Sequence, residues 1–155
     1  SINFGVVRVS ERILKHDPPT TEEVRQAREW IRKETENTML GMPQRAGLTF
    51  VGTAGTITSL AAMAQQLPTY EPARIHNYRL PLQTIADLEQ QLLTRTKAAR
   101  IGMLGLEKNR EDVIAAGAII LRTIMETLGE QECLVSDLGL REGVLLNLAR
   151  RSSET

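Results

Sequence analysis

The stretch from Leu48 to Ala62 places a strand pattern, a turn of small residues and a helix pattern in direct succession. The strand pattern consists of the apolar residues that a covered strand needs: Leu48, Phe50 and Val51. The helix pattern is an apolar stripe at i, i+3, i+4 and i+7: Ile57, Leu60, Ala61 and Ala64. Because the period changes at Gly52 and Gly55, the chain must turn sharply between a strand end and a helix start.

Such a turn has the chemistry of a phosphate site. Gly52 and Gly55 allow a close ligand approach that a Cβ would prevent, and the helix start offers unpaired N–H groups at a positive dipole end. The predicted phosphate-binding residues of this turn are Gly52, Thr53, Ala54, Gly55 and Thr56. Two roles stay open for Thr56, since its hydroxyl either donates to phosphate or caps the helix of a purely structural turn.

The turn matches neither standard nucleotide motif. Gly-x-x-Gly-Thr lacks the lysine of a P-loop and the third glycine of a dinucleotide fingerprint. With 19 basic and 19 acidic residues the formal charge is zero, so we expect no bulk attraction to nucleic acid or to an acidic membrane surface. Any anion must therefore be bound locally.

The single cysteine, Cys133, excludes an internal disulfide and a multi-cysteine metal site. It lies in an apolar run, which predicts burial, and a lone thiol is typical of a reducing compartment. No apolar run approaches the roughly 20 residues of a membrane span, and the first residues do not form a signal peptide. We therefore expect a soluble, cytoplasmic protein of about one domain.

The remaining pattern predicts an alternation of helices and strands. A linker, 15–19, precedes a capping box formed by Thr20 and Glu23. The predicted strands are Ile2–Val9, a short exposed one at Arg74–Tyr78, and a buried one at Cys133–Ser136. Four further helices are predicted. They run from Thr20 to a stop at Gly41 and Pro43, from a capping pattern at Thr84 and Asp87 to near Arg95, from about Arg110 to Leu128, and through Val144, Leu145 and Leu148.

A second glycine-bearing turn, Gly139–Gly143, follows the predicted strand that ends at Ser136. Strands separated by helices pair in parallel, and ligands bind off their carboxyl ends. If the two strands are neighbours, both turns face one cleft, where Arg141 can meet an anion in bidentate fashion. A structural alternative stays open, in which Arg141 only pairs with Glu142 or Asp137 at the surface.

Three motifs in order resemble one family. They are Phe50-Val51-Gly52-Thr53-Ala54-Gly55-Thr56-Ile57-Thr58-Ser59-Leu60, the segment Gly105–Ala118 with Gly-Leu-Glu-Lys-Asn-Arg-Glu-Asp at its start, and Gly139-Leu140-Arg141-Glu142-Gly143. Together with residues 5–12 and 16–19 they closely resemble the second domain of the exopolyphosphatase and guanosine pentaphosphate phosphatase (Ppx/GppA) family. The resemblance covers essentially the whole chain.

The resemblance implies an α/β fold, half of an actin-like, two-domain core, with a mixed sheet and flanking helices. Residues 1–155 would form one domain of that core, without the first domain and its catalytic glutamate and Asp-x-Gly-Gly-Gly hairpin. It also makes Arg110 a phosphate contact. The implied reaction is removal of terminal phosphates from polyphosphate or guanosine pentaphosphate (pppGpp), with Mg²⁺ held mainly by the missing domain.

Several expectations accompany this interpretation. The chain should supply no catalytic base and no metal ligand, since His16 and His76 are isolated, and alone it should release no phosphate. A sheet edge beside Ile2–Val9 would favour self-association as a homodimer. The alternative function is a non-catalytic actin-like module that binds a nucleotide or (p)ppGpp.

Overall fold

The computed structural model describes residues 5–41 and 47–153. Within these ranges, helices and strands alternate as an α/β domain. In chain order the elements are α1 (Val6–Arg12), α2 (Thr21–Met39), β1 (Val51–Thr53), α3 (Gly55–Ala64), α4 (Pro72–Ile75), β2 (Arg79–Pro81), α5 (Leu82–Leu93), α6 (Lys97–Arg100), α7 (Ile114–Leu128), β3 (Glu132–Ser136) and α8 (Leu140–Ser153).

The sheet of the described residues has three strands in the order β1-β3-β2. Strand β1 pairs in parallel with β3, with Thr53 opposite Ser136, so both strands end at the same edge of the sheet. Strand β2 pairs with β3 in the antiparallel sense, with Leu80 opposite Cys133. The sheet is therefore mixed, and the pairing is parallel only for the two strands that precede the glycine-bearing turns.

Helix α7 is the centre of the core and packs against α1, α2, α3 and α5. Its small and branched residues are buried on two sides: Ile114, Ala115, Ala116, Ala118, Ile119, Leu121 and Met125. Burying a large apolar side chain contributes roughly 1.5–3 kcal/mol, so α7 carries much of the stability. Gly129 follows its last residue in the left-handed conformation, which is the usual end of a helix. Across residues 5–41 and 47–153, every helix is too short or too polar to cross a bilayer.

Cys133 is fully buried in the core, as predicted, and burial raises the pKa of its thiol to about 11. The Cys133 side chain lies against Gly52, the first glycine of the turn between β1 and α3. A Cβ built on Gly52 would come within 2.6 Å of the Cys133 sulfur. Gly52 is thus required by close packing of β1 on β3.

The predicted capping box at the start of α2 is confirmed. The N–H of Glu23 donates to the Thr20 hydroxyl at 3.2 Å, and the N–H of Thr20 donates to the Glu23 carboxylate at 2.9 Å. The same carboxylate accepts from the N–H of Lys15 and lies 2.8 Å from Nδ1 of His16. Burial disfavours its charge, but the contacts with His16, Thr20 and Lys15 outweigh burial and lower the pKa of Glu23 to about 2.

A buried ion cluster, which the sequence pattern does not predict, ties α2, α5 and α7 together. Glu89 on α5 is 2% exposed and pairs with Arg28 of α2 and, at 3.5 Å, with Arg122 of α7. Burial raises the pKa of Glu89 above its ordinary value, and the two arginines offset only part of this rise. Helix α5 is held by this cluster as well as by its apolar face.

The predicted strand at Ile2–Val9 is wrong where it can be compared. Ile2 to Phe4 lie outside the described residues, and Val6 to Val9 belong to helix α1. Val9 is fully buried against Ala116 and Ile119 of α7, and this contact outweighs the strand preference of the valines. The predicted self-association through a strand edge at these residues therefore loses its basis.

Two other boundaries differ from the prediction. Arg74–Tyr78 is not a strand, because Pro72 starts a helical turn that buries Ile75, and the strand follows at Arg79–Pro81. Helix α5 begins at Leu82 without a side-chain cap.

The capping pattern at Thr84 and Asp87 is wrong, because α5 begins at Leu82 and both residues lie inside it. The Asp87 carboxylate instead accepts a hydrogen bond from the Gln83 amide at 2.9 Å. The long helix starts at Ile114, since residues 110–113 form a turn.

We predict that Glu23→Gln destabilises the domain by about 1 kcal/mol at pH 7, the usual worth of a cap. Because the folded pKa lies below the ordinary 4.5, stabilisation by the carboxylate is complete above pH 4.5 and is lost as the pH falls towards 2. Urea unfolding from pH 7 to 3 should show a shallower acid loss for Glu23→Gln than for wild type. The control is Glu36→Gln, on an exposed position of the same helix; equal behaviour of the two variants would contradict the assignment.

Candidate functional site

A cleft of about 680 Å³ opens at the edge where β1 and β3 end. Five of the seven residues predicted to bind phosphate line it: Thr53, Ala54, Gly55, Arg110 and Arg141. The other two, Gly52 and Thr56, line a second groove of about 470 Å³ that shares part of the same turn with the cleft. The structure thus brings both glycine-bearing turns to one cleft, because their strands are neighbours.

The first wall of the cleft is the turn from β1 into α3. Ala54 occupies the N-cap position with φ 72° and ψ 175°, a conformation that costs of order 1–3 kcal/mol for a residue with a side chain. Its carbonyl accepts the first helical hydrogen bonds, from the N–H groups of Ile57 and Thr58. The N–H groups of Gly55 and Thr56 precede these bonds and lie at the positive end of the helix, where an anion is stabilised.

Thr56 does not cap α3, so the capping role that the sequence left open for its hydroxyl is wrong. Its side chain instead packs against α7, where a Cβ on Gly117 would lie 2.4 Å from the Thr56 methyl carbon. Gly105 has a similar role, because its φ is +81° and an added Cβ would lie 2.3 Å from the Ala62 backbone of α3. These two glycines of the second motif serve packing, and they set the distance between α3, α7 and the loop before α7.

Arg110 lies directly over the turn. A Cβ on Gly55 would come within 2.1–2.3 Å of its guanidinium, so only glycine leaves room for the arginine there. Glu107 accepts from Nε of Arg110 at 3.4 Å, and the arginine side chain is 34% exposed. Because α7 begins four residues later, Arg110 precedes the helix and does not oppose its dipole within the first turn.

The second wall is the turn from β3 into α8. Its Leu138 carbonyl accepts from two hydroxyls, those of Thr53 and Ser136, each at 3.0 Å. The N–H of Gly139 donates to the Glu142 carboxylate at 2.7 Å, and this hydrogen bond lowers the pKa of Glu142. The hydroxyl of Thr53 therefore joins the two turns through its hydrogen bond to the Leu138 carbonyl.

Arg141 follows Leu140 at the start of α8 and faces this cleft. It forms no ion pair with any residue in the described part of the chain. Glu142 bonds Gly139 and Asp137 bonds Tyr70, so neither forms a close ion pair with Arg141 in this part of the chain. The charge of Arg141 nevertheless contributes, after the hydrogen bond from Gly139, to the lowered pKa of Glu142. Arg141 therefore lines the cleft without a salt bridge in the described part of the chain.

Two cleft residues escaped the sequence analysis as site residues, Tyr70 and Asp137. The Tyr70 hydroxyl donates to the Asp137 carboxylate, and burial together with this bond raises the pKa of Tyr70 to about 12. The N–H of Asp137 donates to Nδ1 of His76 at 3.3 Å, so His76 supports the second turn. Asp137 adjoins the third motif, which is a usable signal, but Tyr70 lies in a segment without any regular pattern.

The described residues contain no group of three or more His, Cys, Asp and Glu side chains arranged to hold a metal ion. The carboxylates of the cleft, from Glu107, Asp137 and Glu142, each already accept a hydrogen bond.

Comparison with known proteins places this geometry in a family. The model of the Ppx/GppA phosphatase family matches residues 1–152, so the chain belongs to that family. Exopolyphosphatase 2 of Mycobacterium tuberculosis is 36% identical over 153 residues, which cover 96% of this chain and 48% of that protein. The bifunctional 3-dehydroquinate synthase/phosphatase of Fusobacterium nucleatum is 28% identical over 149 residues, covering 94% of this chain and 22% of that protein.

Solved structures give the fold. The Aquifex aeolicus member of the Ppx/GppA family superposes with a TM-score of 0.87 at 33% identity, over 96% of this chain and 47% of that chain. The α/β architecture with a mixed sheet and flanking helices is thus that of the actin-like class, as the resemblance implies. The chain spans about half the length of the exopolyphosphatase and the solved structure that it matches.

We predict opposite behaviour for two glycine variants, measured in an active protein that contains this domain. Gly55→Ala displaces only the flexible end of Arg110, so kcat/KM should fall about tenfold or more with little change in Tm. Gly105→Ala strains a positive φ and meets backbone atoms, so Tm should fall by about 5 °C or more while activity per folded molecule persists. Phosphate release and thermal unfolding on both variants test this; a wild-type kcat/KM for Gly55→Ala would show that the turn is only structural.

A second pair of variants tests the link between the turns. Thr53→Val keeps the shape and removes the hydroxyl, a loss of about 1 kcal/mol or roughly fivefold in kcat/KM, whereas Thr53→Ser should retain activity. If Thr53 acts by positioning the turn of Arg141, Thr53→Val should add little to the loss caused by Arg141→Gln. Fully additive losses would mean that Thr53 contacts the substrate independently.

Proposed function

We propose that this chain is the phosphate-contacting lobe of a phosphoanhydride hydrolase that removes terminal phosphates from polyphosphate or from pppGpp. One observation carries the proposal: the N-termini of α3 and α8 and the arginines Arg110 and Arg141 meet in one cleft at the ends of two parallel strands. The names of the relatives support polyphosphate as substrate, since one is an exopolyphosphatase.

The geometry suits a transferring phosphoryl group. In phosphoryl transfer, negative charge spreads over the equatorial oxygens, and catalysis consists mainly of positioning and charge stabilisation. The N–H groups of Gly55 and Thr56 offer donors fixed by the helix, and Arg110 and Arg141 offer charge-assisted, bidentate contacts from two sides. The carboxylates of Glu107 and Glu142 orient these donors and turns through hydrogen bonds.

The remaining parts of the reaction are assigned to the rest of the parent chain. We propose that a glutamate of the other lobe activates the attacking water and that Mg²⁺, held mainly there, neutralises the phosphates. This lobe contributes binding and orientation of the terminal phosphate. On its own, the 155-residue chain should therefore release no phosphate from long-chain polyphosphate.

The test uses the parent enzyme with polyphosphate and with pppGpp as alternative substrates. Arg110→Gln and Arg141→Gln should each lower kcat/KM by about tenfold to a hundredfold, the range for a hydrogen bond to a charged group. The matched control is Arg79→Gln, an exposed arginine that pairs with Glu132 across the sheet, away from the cleft. The ratio of kcat/KM for the two substrates decides which is preferred.

Two outcomes would contradict the proposal. If both cleft variants match the Arg79→Gln control, the arginines do not contact substrate. If the wild-type parent binds pppGpp and hydrolyses neither substrate, the chain belongs to a non-catalytic binding module.

A further inference from the structure

Another groove, of about 390 Å³, opens next to the phosphate cleft. Its lining comes mainly from the segment 67–70 after α3 and from the loop 101–108 before α7. Two residues, Tyr70 and Glu107, line both cavities, so this groove continues directly from the cleft. We call it the side groove. Its volume lies within the usual range of small-ligand pockets, roughly 300–1,000 Å³.

The side groove presents apolar and aromatic groups to solvent. Ile101 is 67% exposed, Leu104 54% and Tyr70 43%. The Tyr70 hydroxyl donates to the Asp137 carboxylate on the cleft side, which holds the aromatic ring at the junction of the two cavities. An aromatic ring that is fixed and partly exposed offers a surface on which a flat base can stack.

The two cavities differ in charge. The cleft holds Arg110 and Arg141, whereas the side groove holds the carboxylates of Glu107 and Glu111 against the single positive charge of Lys108. Carboxylates repel phosphate groups, so a polyphosphate chain is poorly matched to the side groove. A molecule that is anionic at one end and uncharged and partly apolar at the other is matched to both cavities.

Glu111 provides a hydrogen-bonding group in the wall of the side groove. Its backbone carbonyl accepts from Nη1 of the buried Arg100 at 3.0 Å, which fixes its position. Within residues 5–41 and 47–153 its carboxylate has no ion pair and no hydrogen bond, so both oxygens remain acceptors. A carboxylate can accept from two adjacent N–H donors at once. Guanine presents such a pair, its ring N–H and its amino group, and adenine does not.

We infer that the side groove is a nucleoside subsite for a guanine nucleotide whose phosphate end occupies the cleft. The base lies against Tyr70 and Leu104, and Glu111 accepts from its donor edge. The inference rests on the proposed function in that the cleft holds the phosphates. It gives the domain a means to prefer pppGpp over polyphosphate.

The test measures binding without turnover, in an active protein that contains this domain and with EDTA present. Titration calorimetry compares three probes: GTP, which has the base and the 5′-triphosphate of pppGpp, ATP, and tripolyphosphate. GTP should bind about tenfold or more tightly than tripolyphosphate, because only the nucleotide fills the side groove. It should also bind about fivefold more tightly than ATP, which leaves Glu111 unpaired.

Two variants locate the subsite. Leu104→Asn replaces an apolar group by a polar one of similar size and no charge, so it should lower the affinity for GTP about fivefold or more. Glu111→Gln should remove the preference for GTP over ATP. Both variants should bind tripolyphosphate as wild type does. The matched control is Leu40→Asn, a change at an 86% exposed leucine after α2 and outside the side groove, which should keep all three affinities.

Two results would overturn the inference: a wild type that binds GTP no more tightly than tripolyphosphate, and equal losses of GTP affinity in Leu104→Asn and Leu40→Asn. Arg141→Gln separates this inference from the proposed function. If it weakens both GTP and tripolyphosphate, both proposals are supported. If it weakens neither while Leu104→Asn still weakens GTP, the phosphate assignment of Arg141 fails and the nucleoside subsite stands.

Discussion

The parallel pairing of β1 with β3 is the contact on which the rest of the site depends. It requires a glycine, since Gly52 must lie against the sulfur of Cys133 for the strands to reach their register. Because the strands are parallel neighbours, each delivers a turn and a helix N-terminus to the same edge. The hydroxyl of Thr53 then joins the turns through the Leu138 carbonyl. A small error in strand pairing would separate the two turns that form the walls of the cleft.

The second requirement is close contact between α3 and the segment before and within α7. Gly105 and Gly117 let that segment approach the α3 backbone and Thr56, and Gly55 leaves space for the guanidinium of Arg110. Stability and site geometry are thus supplied by neighbouring positions of one segment. Arg110 reaches the cleft because the glycines on both sides of it bring its backbone near the turn.

The sequence predicted those parts of the fold that depend on local pattern. Three elements formed as expected, because each is encoded by a local pattern: the capping box at Thr20 and Glu23, the long helix that ends at Leu128, and the buried strand around Cys133. The valines before Val9 were misassigned, since their preference for strands is weaker than burial of Val9 against α7, more than 100 residues away.

The lining of the cleft was predicted to a similar extent and for the same reason. The turns rich in glycine and threonine and the two arginines are part of short motifs that a sequence shows directly. Five of the seven predicted residues line the cleft. Tyr70 was missed because its role depends on Asp137, 67 residues further along the chain. A contact between residues so far apart produces no periodic pattern in a single sequence. The partner of Tyr70 can therefore be identified only from the three-dimensional structure.

The burial of Cys133 has a practical consequence for experiments on this family member. Its thiol is fully buried and its pKa is raised to about 11, so at neutral pH it holds almost no thiolate and reacts slowly with alkylating reagents. Since this is the only cysteine of the 155 residues, a cysteine introduced on the surface would be the one fast-reacting thiol in the domain. The same dense packing that aligns the two strands therefore leaves the domain ready for site-specific attachment of a fluorophore or spin label.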